Sequence, residues 1–404
     1  MTEAYTIVHG ASEVVVGPGT DRPLAVEADA AVVVEGGRIA AVGDDHELVR
    51  RYPPENAATA VDAAGRTVLP GLVDAHTHAV FAGDRTDEFV ARLRGATYQE
   101  LLAEGGGIHR TVRAVRAADR ETLTANLCGA LDVMLAHGST TVEVKSGYGL
   151  DVEAEVKLLE AIAAADERHP VDLVPTFLGA HAVPQGADRT DYVDAVVEAQ
   201  LPAVADLAAF CDVFCDAGAF TVAEAERVLR AGLDHGLEAK IHAEEFERLG
   251  ASQLAADLDA ASADHLLEAT PADARALVEA GVVPVLLPAT ALTLGADYAD
   301  AAMFREAGGW PAIASDYNPN CPAPSMSFAL QLACHGMGMD PAAAIRGATA
   351  SAAAAVGRPE AGRLEPGAPG DLVVVGASSH EHVPYPLGVN PVETVVKGGV
   401  VVHG

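Results

Sequence analysis

The stretch Leu69-Pro-Gly-Leu-Val-Asp-Ala-His-Thr-His-Ala-Val-Phe81 is an apolar run that ends in two histidines two positions apart. Side chains alternate between the two faces of a strand, so His76 and His78 point the same way, with Cα atoms roughly 6.5 to 7 Å apart. This spacing suits two ligands of one metal ion, although a lone strand-end histidine is more often structural. The pair alone leaves both interpretations open.

The charge balance limits the partners. The 404 residues include 26 basic and 58 acidic ones, for a net charge of −32. Such a surface repels nucleic acid and anionic lipid, so we expect neither nucleic acid nor a membrane as a partner. Few lysines among scattered acids are typical of proteins from salt-loving microbes, where salt screens self-repulsion. An ordinary acidic cytosolic protein is the alternative.

The cysteines and the first residues bear on location. Five cysteines without a Cys-x-x-Cys pair predict neither a disulfide framework nor a zinc knuckle. The opening residues lack the basic and apolar regions of a signal peptide, and no run approaches the ~18 apolar residues of a membrane span. We therefore expect a cytoplasmic protein.

The two ends of the chain resemble each other in composition. Both carry short β-rich runs, and Gly36-Gly37 between two of the runs is a hairpin signal. Neither end has enough strands for a stable sheet by itself. We predict that residues 1–68 and 360–404 form one small composite domain, a β-sandwich built from both chain ends.

Residues 69–359 alternate apolar β-type runs with Ala-rich helical stretches. The strand candidates are Gly71–His78, Thr140–Lys145, Asp172–Leu178, Cys211–Cys215, Glu238–His242, Ala261–His265, Val282–Leu287 and Pro311–Asp316. Eight strands with intervening helices predict an α/β fold of the TIM-type (β/α)8 barrel. A doubly wound open sheet is the alternative, disfavoured by the strand count and by the absence of a Gly-x-Gly-x-x-Gly turn.

Ionisable residues gather at the ends of these strands, where barrels carry their chemistry. Besides the opening pair they include His181, His242, His265 and Asp316. Burying so many polar groups without a role would be costly, so their convergence predicts a metal site.

With these residues in place, the sequence resembles a known family. Asp-Ala-His-Thr-His after Pro-Gly-Leu is similar to the first-strand signature of the amidohydrolase superfamily of metal-dependent hydrolases. Further segments resemble the imidazolonepropionase family within it: HAVFAGDR (78–85), GGGI (105–108), KSGYGL (145–150), TFLGAHAVP (176–184), HAEEF (242–246), SADHL (262–266) and DYNP (316–319). The ordered set is more specific than the histidine pair.

The resemblance implies one divalent or trivalent metal ion per chain, Zn²⁺ or Fe, held by His76, His78, His242 and Asp316. Ligand type does not choose between these metals. Many superfamily members hold a second metal through a carboxylated lysine on the fourth strand. The predicted fourth strand, read through Asp216, has no lysine, so we expect a mononuclear site.

The resemblance also implies a reaction. The ring C–N bond of 4-imidazolone-5-propanoate would be hydrolysed to N-formimidoyl-L-glutamate, the third step of histidine degradation, by a metal-activated water. His265 and Asp316 are the candidates to take the proton of the water. Glu245 would hold a ring nitrogen and pass the proton to the leaving nitrogen.

Several residues are expected to bind the substrate. Arg85 suits the carboxylate arm, with a surface salt bridge to Asp84 or Asp87 as the alternative. Tyr148 would contribute its hydroxyl, His181 would hydrogen-bond the ring or its carbonyl, and the resemblance makes Asn318 a contact.

The segment after Asn318 departs from the family. The family has glycine and a small hydroxyl residue where this chain has Asn320 and Cys321. Both stay in the substrate-binding set with open roles. Cys321 has no assigned base, so we interpret it as a loop residue and not as a nucleophile.

Two other functions compete. A mononuclear nucleobase deaminase would share the metal ligands but has no use for Arg85. A non-catalytic relative would tend to lose ligands, which are all present here. The oligomeric state stays open, with a homodimer as one alternative.

Overall fold

The computed structural model describes residues 4–95 and 105–404. The strands are β1 (Tyr5–Pro18), β2 (Leu24–Glu35), β3 (Arg38–Asp44), β4 (Thr59–Asp62), β5 (Thr67–Pro70), β6 (Leu72–Asp74), β7 (Ser139–Lys145), β8 (Asp172–Ala180), β9 (Phe210–Cys215), β10 (Glu238–Ala243), β11 (Ser262–His265), β12 (Val283–Leu286), β13 (Ala312–Ile313), β14 (Leu372–Val375), β15 (Val392–Lys397) and β16 (Val400–His403). The helices are α1 (Asp45–Arg51), α2 (Thr86–Leu93), α3 (Ile108–Ala117), α4 (Arg120–Ala136), α5 (Val152–Asp166), α6 (Arg189–Ala195), α7 (Leu201–Val204), α8 (Val222–Asp234), α9 (Ala251–Asp257), α10 (Pro271–Ala280), α11 (Pro288–Leu294), α12 (Ala301–Glu306), α13 (Met326–His335), α14 (Pro341–Arg346) and α15 (Ala352–Ala355).

Strands β6 to β13 form a parallel sheet in chain order, and each predicted strand coincides with one of them. The sheet closes on itself beyond the ends of β6 and β13. There the backbone amide of Asp316 donates to the carbonyl of His76 at 3.0 Å. The backbone amide of His78 donates to the carbonyl of Tyr317 at 2.9 Å. The predicted (β/α)8 barrel is confirmed. The bonds that close it also fix the backbone of the two histidines.

A second, mixed sheet is built from both chain ends, as predicted. Its strands run in the order β16-β15-β14-β5-β1-β2-β3, and β4 pairs with β1. The two ends meet where β5 pairs antiparallel with β14, for example Leu69 with Val373. β5 extends to Pro70, and the barrel strand β6 begins at Leu72. The exact limits of the domains, 1–68 with 360–404 and 69–359, stay a prediction, and residues 1–3 lie outside the described part.

Many helices begin at an acidic side chain that accepts hydrogen bonds from the first turn. Such caps are made by Asp44, Asp119, Asp151, Asp188, Asp300 and Asp340. A carboxylate at this position satisfies otherwise unpaired amides and lies at the positive end of the helix dipole. Part of the acidic composition therefore has a local structural role.

In the described ranges, no helix combines the length and the apolar character that crossing a bilayer requires.

Candidate active site

A cavity of about 570 Å³ opens at the carboxyl ends of the barrel strands. Of the predicted site residues, its lining includes His78, Arg85, Tyr148, His181, His242, Glu245, His265, Asp316, Asn318 and Asn320. These residues are spread over more than 200 positions of the chain, and the barrel brings them together because its strand ends share one rim.

Four potential metal donors meet at the base of the cavity. The Nε2 atoms of His78 and His242 are 3.4 Å apart. Oδ1 of Asp316 lies 3.6 Å from Nε2 of His78 and 3.7 Å from Nε2 of His76. In the described residues, two overlapping groups have ligand atoms within 4.8 Å of one another: His76, His78 and His242, and His76, His265 and Asp316.

Two of these histidines are oriented by buried carboxylates. Nδ1 of His76 lies 2.6 Å from Oδ2 of Asp264, and Nδ1 of His242 lies 3.1 Å from the carboxylate of Asp212. An ionised carboxylate only accepts, so each Nδ1 carries the proton and each Nε2 presents its lone pair to the cluster.

The donor set fits a metal ion on its own chemistry. Nε2 of His76, which belongs to the cluster, is buried without a hydrogen-bond partner among the described residues, which is costly unless a ligand completes it. The pKa of both imidazoles is lowered well below the usual value, mainly by burial. The next cause is the cation Lys145 for His76 and the ring of His181 for His78. The neutral form favoured in this way is the one that binds metals.

Asp316 is held by two neighbours and an uncommon backbone. Its Oδ2 accepts from the hydroxyl of Thr290 at 2.5 Å and its Oδ1 from the amide of Asn318 at 2.8 Å. Burial raises the pKa of the carboxyl to about 6. Asp316 and His265 have positive φ angles of 50° and 81°, which are rare outside glycine and cluster at functional sites.

Glu245 faces the same space from the turn after β10. Asp216 fixes this turn by accepting from the amides of Glu245 and Phe246, at 2.6 and 3.0 Å. Oε1 of Glu245 lies 3.7 Å from Nδ1 of His265. Burial, with the nearby carboxylates of Asp316 and Asp216, raises the pKa of Glu245 well above its usual value. This carboxyl is therefore suited to carry a proton near neutral pH.

The loop after β7 brings Tyr148 to the cavity and holds His181, which follows β8. The buried carboxylate of Glu155 accepts from the amides of Gly147, Gly149 and Leu150, at 2.8 to 2.9 Å. Nδ1 of His181 lies 3.0 Å from the carbonyl of Gly147. Since a carbonyl only accepts, Nδ1 is the donor. Burial lowers the pKa of His181 to about 3, so its Nε2 is unprotonated and accepts a hydrogen bond.

Arg85 precedes α2 and lines the cavity. Its Nε and one terminal nitrogen donate to the hydroxyl of Thr111, at 3.0 and 2.8 Å. Asp87 instead pairs with Arg110, at 2.6 Å. No ion pair joins Arg85 to Asp84, Asp87 or any other acid in ranges 4–95 and 105–404, so no acid of these ranges competes with an anionic ligand for the guanidinium.

The loop after Asn318 places Asn320 and Cys321, the two residues that depart from the family pattern, in different surroundings. Asn320 lines the cavity. The Cys321 side chain does not reach it: it is fully buried, with Sγ 3.8 Å from the carbonyl of Ser315. Burial raises the pKa of the thiol to about 12. The position of this side chain fits the interpretation of Cys321 as a loop residue, and its place in the substrate-binding set stays a prediction.

Some site residues were not anticipated from the sequence. Asp212 and Asp264 orient ligand histidines, and Arg92 and His109 also line the cavity. Arg92 follows Arg85 by seven positions, or two helical turns. Residues at this spacing share one helical face, so the sequence could have predicted Arg92 as a cavity residue. The two aspartates carried no signal of their own, because their partners come from strands distant in sequence.

Barrel, cavity and buried donor cluster together define the class of the amidohydrolases, metal-dependent hydrolases with their site at the strand ends. A model of the amidohydrolase family matches residues 67–402, and a model of the imidazolonepropionase-like composite domain of bacteria matches residues 30–54. Solved structures with the same fold include an adenosine deaminase from Xanthomonas campestris with bound zinc, at TM-score 0.76 and 21% identity over 99% of this chain and 93% of that one. An atrazine chlorohydrolase from Arthrobacter aurescens complexed with zinc has a TM-score of 0.75 and 18% identity, over 98% and 95% of the chains.

The sequence relatives are more specific. Imidazolonepropionase of Haloarcula marismortui is 58% identical over 100% of this chain and 97% of its own length, and that of Halobacterium salinarum is 59% identical over 100% and 99%. Imidazolonepropionase of Geobacillus kaustophilus is 48% identical over 94% and 91%. The chain belongs to the imidazolonepropionase family of the amidohydrolases, and thereby to the hydrolases of histidine degradation. Two of these relatives come from halophilic archaea, which agrees with the composition-based expectation of a protein adapted to salt.

Proposed function

We propose that this chain opens the ring of 4-imidazolone-5-propanoate at its C–N bond, giving N-formimidoyl-L-glutamate, with a single metal ion at the base of the barrel cavity. The observation that carries the proposal is that one cavity holds both the buried donor cluster and the guanidinium of Arg85, which has no ion pair with an acid of ranges 4–95 and 105–404. A cyclic amide with a carboxylate arm matches these two features together.

The metal would be Zn²⁺ or Fe, held by His76, His78, His242 and Asp316. When bound, such an ion supplies a nucleophilic water at neutral pH and polarises the ring carbonyl. A mononuclear site is supported by β9, which contains no lysine.

Three side chains handle the protons. Asp316 and His265 border the donor cluster and are the candidates to accept the proton of the attacking water. Glu245 starts in the acid form, since its pKa is raised by burial and by Asp316, and donates to the ring nitrogen as the C–N bond breaks. Oε1 of Glu245 lies 3.7 Å from Nδ1 of His265, so a proton can pass between candidate base and acid without bulk water.

The remaining contacts orient the ring. Arg85 binds the propanoate arm through charge-assisted hydrogen bonds. The unprotonated Nε2 of His181 accepts from a ring N–H, which makes the ring, and not its carbonyl, the partner of this histidine. The ring of Tyr148 lies tilted against His181, with centroids 5.3 Å apart, and its hydroxyl would contact the substrate, while Asn318 and Asn320 line the same cavity.

The net charge of −32 supports small molecules as partners, without nucleic acid or membrane. It also suits a cytoplasm of high salt concentration. A homodimer is the alternative to a monomer, and light scattering in concentrated salt distinguishes them.

The direct test follows the loss of imidazolonepropanoate absorbance in concentrated salt. We expect turnover of this substrate and none of adenosine, guanine or cytosine. Deamination of a nucleobase without turnover of imidazolonepropanoate would overturn the proposal in favour of a deaminase. The structural similarity to an adenosine deaminase, at 21% identity, concerns the fold alone.

A further inference from the structure

A cluster of buried charges lies directly beneath the donor cluster. Its centre is Lys145 on β7, whose side chain is fully buried. The ammonium lies 2.8 Å from Oε1 of Glu143, 2.8 Å from Oδ2 of Asp212 and 3.7 Å from Oδ2 of Asp264. A lysine without water contact needs such partners, because an isolated buried ammonium is strongly disfavoured.

Two of these three carboxylates are the ones that orient ligand histidines. Asp264 receives Nδ1 of His76 at 2.6 Å, and Asp212 receives Nδ1 of His242 at 3.1 Å. The two histidines come from the segment after β6 and from β10, far apart in sequence. Lys145 is thus a common counter-charge for two carboxylate–histidine pairs that approach the same point.

The other buried lysine supports a different part of the cluster. Nζ of Lys240 donates to the carbonyls of Ala75 and Ala355, at 3.1 and 3.4 Å. It approaches Glu143 at 3.7 Å. The 2.8 Å contact to Asp212 is made by Lys145, so Lys240 does not take its place between the two aspartates.

We propose that Lys145 is a positioning residue that fixes Asp212 and Asp264 together, so that both hold their histidines with Nε2 directed at the metal. Without its ammonium, Asp212 would lose its cation at 2.8 Å and Asp264 would keep only the nearby charge of Lys240, so the two buried carboxylates would repel each other and shift apart. The histidines would then lose their fixed orientation. This inference rests on the proposed metal site and adds a residue that touches neither metal nor substrate.

The test is Co²⁺ binding to metal-free protein in concentrated salt, followed by absorption spectroscopy. Lys145→Met should weaken Co²⁺ affinity by about 10- to 100-fold, the usual effect of removing a group that supports metal ligands, and should alter the d–d bands of the bound ion. An unchanged affinity and spectrum would overturn the inference. If the unsubstituted protein itself binds no Co²⁺, the proposed metal site is wrong. Failure of the proposed function is thereby distinguished from failure of the role assigned to Lys145.

A matched control distinguishes positioning from general stability. Lys397 also contacts two carboxylates, Asp172 and Asp371, each at 2.6 Å, but at the other end of β8 from the cavity. Lys397→Met should lower the melting temperature and leave Co²⁺ affinity within about threefold. Equal losses of affinity in the Lys145 and Lys397 variants would overturn the inference.

A variant that lacks both aspartate charges tests whether Lys145 acts through Asp212 and Asp264. This test remains informative if Lys145→Met alone does not fold. In Asp212→Asn/Asp264→Asn protein the carboxylates are already neutral, so adding Lys145→Met should change Co²⁺ affinity by less than about threefold. Residues that act as one unit give such non-additive effects. A further tenfold loss in the triple variant would show that Lys145 does not act through these aspartates.

Discussion

At the scale of single residues, Glu245 is the most direct test of the proton steps. Glu245→Gln keeps the shape of the side chain but removes its acidic proton, so we expect kcat to fall by ~10² or more with metal content unchanged. Activity assays and metal analysis of the same preparation measure both. Glu247, exposed on the same turn, provides the matched control, and Glu247→Gln should retain full activity. A Glu245 variant as active as the control would exclude the acid role.

Some of the site residues, but not all of their properties, could be predicted from the sequence. Strand-end positions predicted a metal site among the histidines and Asp316, and the family resemblance singled out His76, His78, His242 and Asp316, which meet in space. Which ring nitrogen of His181 donates and which accepts was not predictable, because it depends on the hydrogen bond from Nδ1 to the carbonyl of Gly147. The buried position of Cys321 was equally hidden, since it follows from the path of a loop that departs from the family pattern.

At the scale of elements, we expect the residue before α2, Arg85, to bind the carboxylate arm of the substrate. Arg85→Ala should raise KM for imidazolonepropanoate by about 10- to 100-fold, as expected for losing a charged hydrogen bond of ~1.5–3 kcal/mol, with a smaller effect on kcat. Steady-state kinetics at constant salt measure this. Arg94→Ala, at the exposed far end of the same helix, is the control. An unchanged KM in the Arg85 variant would remove Arg85 from the site.

The loop after β7 depends on one glycine. Gly147 has φ +90°, and a Cβ there would lie 2.9 Å from the carbonyl oxygen of Leu178 and 3.0 Å from Nδ1 of His181. Gly147→Ala should therefore lower the melting temperature and also impair turnover by displacing His181. Gly186 has a similar φ of +81° but open space around it, so Gly186→Ala isolates the backbone strain. Equal activity in the two variants would mean that the loop does not position His181.

Elements were predicted more reliably than their ends. All eight barrel strands were recognised because apolar runs alternate regularly with helical stretches. The first and last were predicted too long, Gly71–His78 against Leu72–Asp74 and Pro311–Asp316 against Ala312–Ile313. There the chain continues in extended form, but it is held by single bonds between the two strand ends and not by a regular ladder.

At the scale of the whole molecule, the charge of −32 makes stability depend on salt. Screening shortens the range of repulsion from roughly 10 Å at 0.1 M to 3 Å at 1 M salt. We expect the melting temperature to rise steadily from 0.1 M to 3 M KCl, measured by circular dichroism. Sucrose of matched viscosity is the control for non-ionic effects. Full stability in dilute buffer would contradict the halophilic interpretation of the composition.

One metal ion in the barrel cavity is proposed to support hydrolysis of imidazolonepropanoate. The most direct measurement is titration of the metal-free protein with Zn²⁺ or Fe²⁺ while turnover is followed, with His242→Ala as the variant that lacks a ligand. We expect activity to reach its plateau at about one equivalent per chain and the variant to retain neither metal nor activity. A plateau at two equivalents, or full activity in the metal-free protein, would contradict it.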